Sequence, residues 1–92
     1  MNKIQQLELM DKIRRELKDL EQSQTAVLKK VSQIAAHNIT LNAELLEQKL
    51  PDLQEQIDAS VVSINELSES FEEYRTKFYS DNKLGDQVDP TA

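Results

Sequence analysis

Residues 41–57, LNAELLEQKLPDLQEQI, hold the end of one heptad register and the start of another, with Pro51 between them. Upstream, Met10, Leu17, Gln24, Val31, Asn38 and Leu45 fall at a positions and Ile13, Leu20, Val27, Ile34, Leu41 and Gln48 at d; nine of these twelve are apolar. Downstream, Leu50, Ile57, Ile64, Phe71 and Phe78 fall at a and Leu46, Leu53, Ser60, Leu67 and Tyr74 at d, nine of ten apolar. Apolar residues recurring at 3.5-residue intervals over so many repeats mark helices that pack along a seam. The step from the d site Gln48 to the next, Leu53, is five residues. A continuous coil absorbs insertions of three or four, so the register change predicts two helices. They are expected over about residues 4–48 and 51–79, with the hinge near 49–51. Proline suits the first turn of a new helix and removes a hydrogen bond inside an old one, and the residue before it prefers to be extended. A second candidate break is His37-Asn38-Ile39-Thr40, where Asn or Thr would cap a helix running through LNAELLEQ. The expected fold is all-α and coiled-coil: a helical hairpin, or one rod kinked at Pro51.

Composition supports this class. Of 92 residues, 30% are charged and 4% aromatic, with one Gly, two Pro and neither Trp nor Cys. A compact globule of this size usually needs a denser core, disulfides or a metal, because burial barely exceeds conformational entropy at such lengths. Without cysteine, thiol redox chemistry and thiolate metal sites are excluded. The longest apolar runs, Ala26–Leu28 and Ile34–Ala36, fall far short of the roughly 20 residues a membrane-spanning helix needs. The N-terminus has acidic residues and no apolar signal core, so a cytoplasmic protein is expected. The net charge of −6 argues against nucleic acid as the main partner. It is also uneven, +2 over residues 1–30 and −8 over 31–92, which suits pairing between segments of unlike charge, within the chain or with another helix. Residues 80–92, SDNKLGDQVDPTA, carry the only Gly, the second Pro and no period, and are expected to form a flexible acidic tail after a single helical module over 1–79.

The candidate interface residues are the heptad positions Met10, Ile13, Leu17, Leu20, Gln24, Val27, Val31, Ile34, Leu41, Leu45, Leu53, Ile57, Ile64, Leu67, Phe71, Tyr74 and Phe78, with Leu28, Ala35 and Val61 at e. A hairpin that simply buried its own a/d seam would leave those e positions wet. A widened a/d/e face implies more than one neighbouring helix, so other chains, in a hetero-oligomer rather than a homodimer, are expected to cover part of it. Gln24 and Asn38 at a positions specify register or loosen the seam locally. Tyr79 falls outside the seam and is a candidate partner anchor. His37 has no second imidazole or thiol beside it, and the carboxylates from Glu44 to Glu73 lie on a polar face where all are alike, whereas acid–base catalysis needs two carboxyls in unlike environments. No catalytic, cofactor or metal site is expected. The cluster Lys12, Arg14, Arg15 and Lys18 is interleaved with Asp11, Glu16 and Asp19, which points to a salt-bridged solvent face; contact with an anionic membrane is the alternative.

Ser23-Gln24, followed by Val27, Val31, Ile34 and Ala35, resembles the first-helix signature of snapin and related proteins, in which a Ser-Gln pair precedes a hydrophobic ladder ending in a small residue. The segment Ser60-Val61-Val62-Ser63-Ile64-Asn65 with Glu73 is similar to that family's second helix, and Pro51 matches a proline near its start. The similarity spans roughly residues 20 to 78; the second helix departs from it in being acidic where snapin is rich in Arg. The resemblance implies a non-catalytic coiled-coil subunit of the complexes that form and position lysosomes and related organelles. Such subunits assemble with other short helical chains on the cytosolic face of endosomes, and some contact SNARE proteins. Kinetochore or cytoskeletal coiled-coil assemblies fit the same heptads, as does an amphipathic helix lying on a membrane surface.

Overall fold

The computed structural model describes residues 1–85 as two long antiparallel helices, α1 (Lys3–Leu41) and α2 (Glu44–Asp81). The hairpin measures 63 × 22 × 19 Å. The start of α1 is set by Asn2: its Oδ1 accepts from the Gln5 backbone N–H at 2.8 Å, and the Gln5 Oε1 accepts from the Asn2 N–H at 3.0 Å, closing a reciprocal capping box.

The chain reverses at Asn42-Ala43, eight residues before Pro51. Asn42 takes the left-handed conformation (φ 59°, ψ 44°) that commonly ends a helix, and its N–H donates to the Asn38 carbonyl at 2.7 Å. Asn38 then clamps the turn: its Nδ2 donates to the Ala43 carbonyl at 3.1 Å and its Oδ1 accepts from the Ala43 N–H at 2.8 Å. The reversal therefore lies at the edge of the second candidate break and not at 49–51. Pro51 sits well inside α2, and residues 42–48 do not continue the first helix. The physical reason is local. An asparagine that satisfies both sides of a two-residue turn stabilises a reversal there, whereas Pro51 costs a helix only one hydrogen bond and a clash with the carbonyl one turn back. Glu44 and Glu47 in the first turn of α2 complement its dipole.

At the other end, helix continues to Asp81, and Asn82 bonds back to the Phe78 carbonyl through both its N–H and its Nδ2. Lys83 is left-handed (φ 52°) and turns the chain so that Leu84 is wholly buried. Gly85 lies against Tyr79, where a Cβ would come 3.0 Å from the phenol oxygen. The expected flexible tail thus loses its first residues, 80–85, to an ordered helix end; residues 86–92 lie outside the described residues.

Candidate helix-docking face

The hairpin seals itself with its a and e positions. On α1, Leu7 and Val31 are buried, and Met10, Arg14, Leu17, Glu21, Gln24, Leu28 and Ala35 are half-buried. On α2 the matching residues are Leu50, Ile57, Val61, Ile64, Ser68, Phe71, Arg75 and Phe78, of which Ser68 is buried. Around a helix, e lies about 40° to one side of a and d about 60° to the other. A seam centred between a and e therefore turns d outward. Leu20, Val27 and Ile34 on α1 are about 40% exposed, and Leu41 is 69% exposed. On α2, Leu67 and Tyr74 are 54% and 59% exposed, with Leu53 at 44%. Of the expected interface residues, the a and e sets are drawn together inside the chain, while the d set, apart from the half-buried Ile13, is held out of its own seam. Leu45, grouped with the first helix by its register, starts the second and is exposed.

Both ends of the hairpin pin this rotation. The Asn38 clamp fixes it at the turn. At the open end, the Arg75 Nε donates to Asp11 at 2.9 Å and the Arg14 Nε to Glu72 at 2.8 Å, with Arg14 also bonded to Asp11 at 3.1 Å. The four groups sit on the b/e edge of the seam and span the two helices. Burial alone would push the Asp11 carboxyl up, but hydrogen bonds from Arg75 and Arg14, together with their charges, outweigh it and hold the carboxyl below its ordinary value. The Arg14 guanidinium is pushed up by its bonds to Glu72 and Asp11.

In an antiparallel pair, a two-fold axis normal to the plane of the helices exchanges them without exchanging front and back, so both d stripes emerge on one face. The register shown by Asp11 opposite Arg75 and Arg14 opposite Glu72 sets Ile13 level with Tyr74, Leu20 with Leu67, Val27 with Ser60 and Ile34 with Leu53. The front is an apolar floor running the length of the hairpin; the back edge is ionic. Tyr74, stacked on Phe71 with ring centroids 5.8 Å apart, closes the floor at the open end. Tyr79 is not an outward anchor: it is half-buried beneath the Arg75 guanidinium, 5.4 Å from its ring centroid.

The internal seam is thin. Among the described residues, Leu7, Val31 and Leu84 are the only buried apolar side chains. Gln24, Ser68, the Glu21 carboxylate and Asn65 interrupt the seam midway, and the Glu21 Oε2 and Asn65 Oδ1 are buried there without hydrogen-bond partners. Lys18 approaches the same Glu21 oxygen at 3.6 Å, an ion pair too long for a hydrogen bond.

The basic cluster is largely committed within the chain. Arg14 holds Glu72 and Asp11 and Lys18 lies near Glu21, leaving Lys12 and Arg15 to solvent. His37 is exposed. Among the described residues, no group of three or more His, Cys, Asp or Glu is placed to hold a metal ion, and no helix is long and apolar enough to cross a membrane. Heptad reading missed Leu7, one step before the first named position, and the ionic set Asp11, Glu72 and Arg75, whose only trace in the sequence is the basic first third facing an acidic remainder. In comparisons with family models, curated proteins and solved structures, nothing matches this chain.

Proposed function

We propose that the chain is a non-catalytic scaffold subunit whose front face is covered by helices of other short coiled-coil chains, in a cytoplasmic complex acting in endosome and lysosome-related organelle traffic. The observation that carries the scaffold role is the pair of d stripes held out of the chain's own seam and brought together on one face. Full burial of a Leu or Ile side chain stabilises by about 1.5–3 kcal/mol, so covering seven roughly half-exposed ones offers roughly 5–10 kcal/mol before ordering costs. Contiguous exposed apolar surface of this kind, rimmed by polar residues, marks interaction sites. The cellular setting is supported by the Ser23-Gln24, Pro51 and Asn65 resemblance to snapin-like subunits; peripheral association with endosomes and contact with SNARE proteins belong to that part of the reading. Affinity purification of the tagged chain from its native cell, followed by mass spectrometry, tests it. Recovery of short helical subunits together with endosomal proteins is the expected result. Kinetochore or cytoskeletal proteins in their place would overturn the setting, and recovery of no other helical chain would overturn the scaffold role.

A further inference from the structure

Between Leu50 and Thr76, α2 carries seven acids, Asp52, Glu55, Asp58, Glu66, Glu69, Glu72 and Glu73, against one base, Arg75, which Asp11 already holds. Glu72 is paired with Arg14. Asp52, Glu66 and Glu73 recur at heptad intervals on the outer edge of α2 that borders the d face, Glu55 and Glu69 lie on the side away from it, and all five are exposed and in no salt bridge among the described residues. Lys49 and Lys77 bracket this acidic run without entering it. Between the acidic rim and the apolar floor, Gln56, Ser63 and Ser70 are short or neutral, which leaves room for a neighbouring backbone.

Given the interface reading above, we infer that the occupant of this face is a basic amphipathic helix of a different chain, lying along α2 with its apolar stripe on Leu53, Leu67 and Tyr74 and its Lys or Arg side chains over Asp52, Glu66 and Glu73. Opposite charge across the rim of an apolar seam selects partners in coiled coils, and like charge rejects them. A second copy is disfavoured on the same ground. Laid face to face with its long axis matched, it sets Lys12 of one copy against Glu73 of the other but Asp19 against Glu66, leaves Asp52 facing Gln33 with no base, and doubles a net charge of −6. An anionic membrane is disfavoured by the acidic rim itself.

The test uses a defined surrogate for the partner: a full-length copy carrying Asp52→Lys, Glu66→Lys and Glu73→Lys. These positions are exposed and unpaired, and helicity by circular dichroism checks the fold; should the threefold variant not fold, Glu66→Lys with Glu73→Lys serves. Analytical ultracentrifugation is run on each chain alone and on the mixture across the micromolar range. A 1:1 complex in the mixture is expected, with each chain alone monomeric. Adding 1 M salt should weaken the complex by about tenfold, since rim pairs are screened. Leu20→Glu with Leu67→Glu in the wild-type chain should abolish it. Self-association of the wild-type chain as tight as the mixture, lost on Leu20→Glu, would keep the interface and overturn the basic partner. No complex in the mixture, a complex that survives Leu20→Glu with Leu67→Glu, or binding of the wild-type chain to phosphatidylserine-containing vesicles would also overturn it. The scaffold reading fails separately, if native partners are retained by the Leu20→Glu, Leu67→Glu chain.

Discussion

Replacing Asn38 with alanine removes the clamp that closes the hairpin, and its cost follows from the bonds it makes. The Ala43 N–H loses its partner at 2.8 Å, and a donor left unpaired in a partly buried site costs about 1–2 kcal/mol. The Ala43 carbonyl loses the Asn38 Nδ2 but keeps the Leu46 and Glu47 N–H groups at 3.2 Å, so that loss is smaller, about 0.5 kcal/mol. Asn38 is only 6% exposed, so the truncated side chain leaves a small void worth about 0.5 kcal/mol more. Alanine's higher helix propensity offsets about 0.5 kcal/mol. The net expectation is a loss of about 2 kcal/mol, which for a chain of this size is a fall in Tm of about 8–15 °C. Urea unfolding followed by circular dichroism at 222 nm measures it; the midpoint should fall with little change in slope. A loss below about 0.5 kcal/mol would refute the claim that Asn38 holds the turn.

Pro51→Ala should raise stability by about 1 kcal/mol or more, because it restores a hydrogen bond inside α2; a Tm unchanged or lowered in a thermal melt would show the proline to be accommodated without cost. Asn42→Gly should leave the chain as stable or up to about 1 kcal/mol more so, since glycine takes the left-handed conformation freely, and the same melt reads it. Asp11→Asn should cost about 1 kcal/mol at neutral pH, modest because the ionic set is partly open to solvent. The folded Asp11 carboxyl titrates below its ordinary value, so its contribution is complete above about pH 4 and disappears as pH falls through the lowered folded pKa. A pH series of urea midpoints should show wild type and Asp11→Asn converging in acid; a constant gap would rule out the ionic origin.

Helix content and two-helix organisation were legible in the heptads, because a 3.5-residue period is a property of the sequence whatever the helices pack against. Which side of the a stripe faced inward was not. That choice depends on rotation, which is set by Asn38 at the turn and by Asp11, Arg14, Glu72 and Arg75 at the open end, contacts between residues up to 64 positions apart that no local pattern records. The apolar Leu28, Ala35 and Val61 at e positions were the visible hint: they were expected to need cover from other chains, whereas the hairpin half-buries them in its own seam. Pro51 drew the hinge away from Asn42 because proline is a strong signal in isolation, while an asparagine bonded on both sides of a turn declares itself only in three dimensions. Leu84 was read as tail for a similar reason: its burial depends on a left-handed Lys83 that sequence does not specify.

Thiol reactivity measures most directly whether the d stripe is left out of the chain's own seam and covered by other chains. The sequence has no cysteine, so single substitutions Leu20→Cys, Leu67→Cys, Val31→Cys, Ser68→Cys and Val62→Cys each report one position. In the isolated folded chain, thiols at 20, 67 and 62 should react at rates near those of the unfolded chain, while those at 31 and 68 should be slowed about tenfold or more by burial. In the complex recovered from cells, positions 20 and 67 should become protected and position 62, on the opposite side, should stay reactive. Protection of 20 and 67 in the isolated chain would mean that the hairpin closes on a and d after all, and continued reactivity of both in the complex would mean that no partner covers the face.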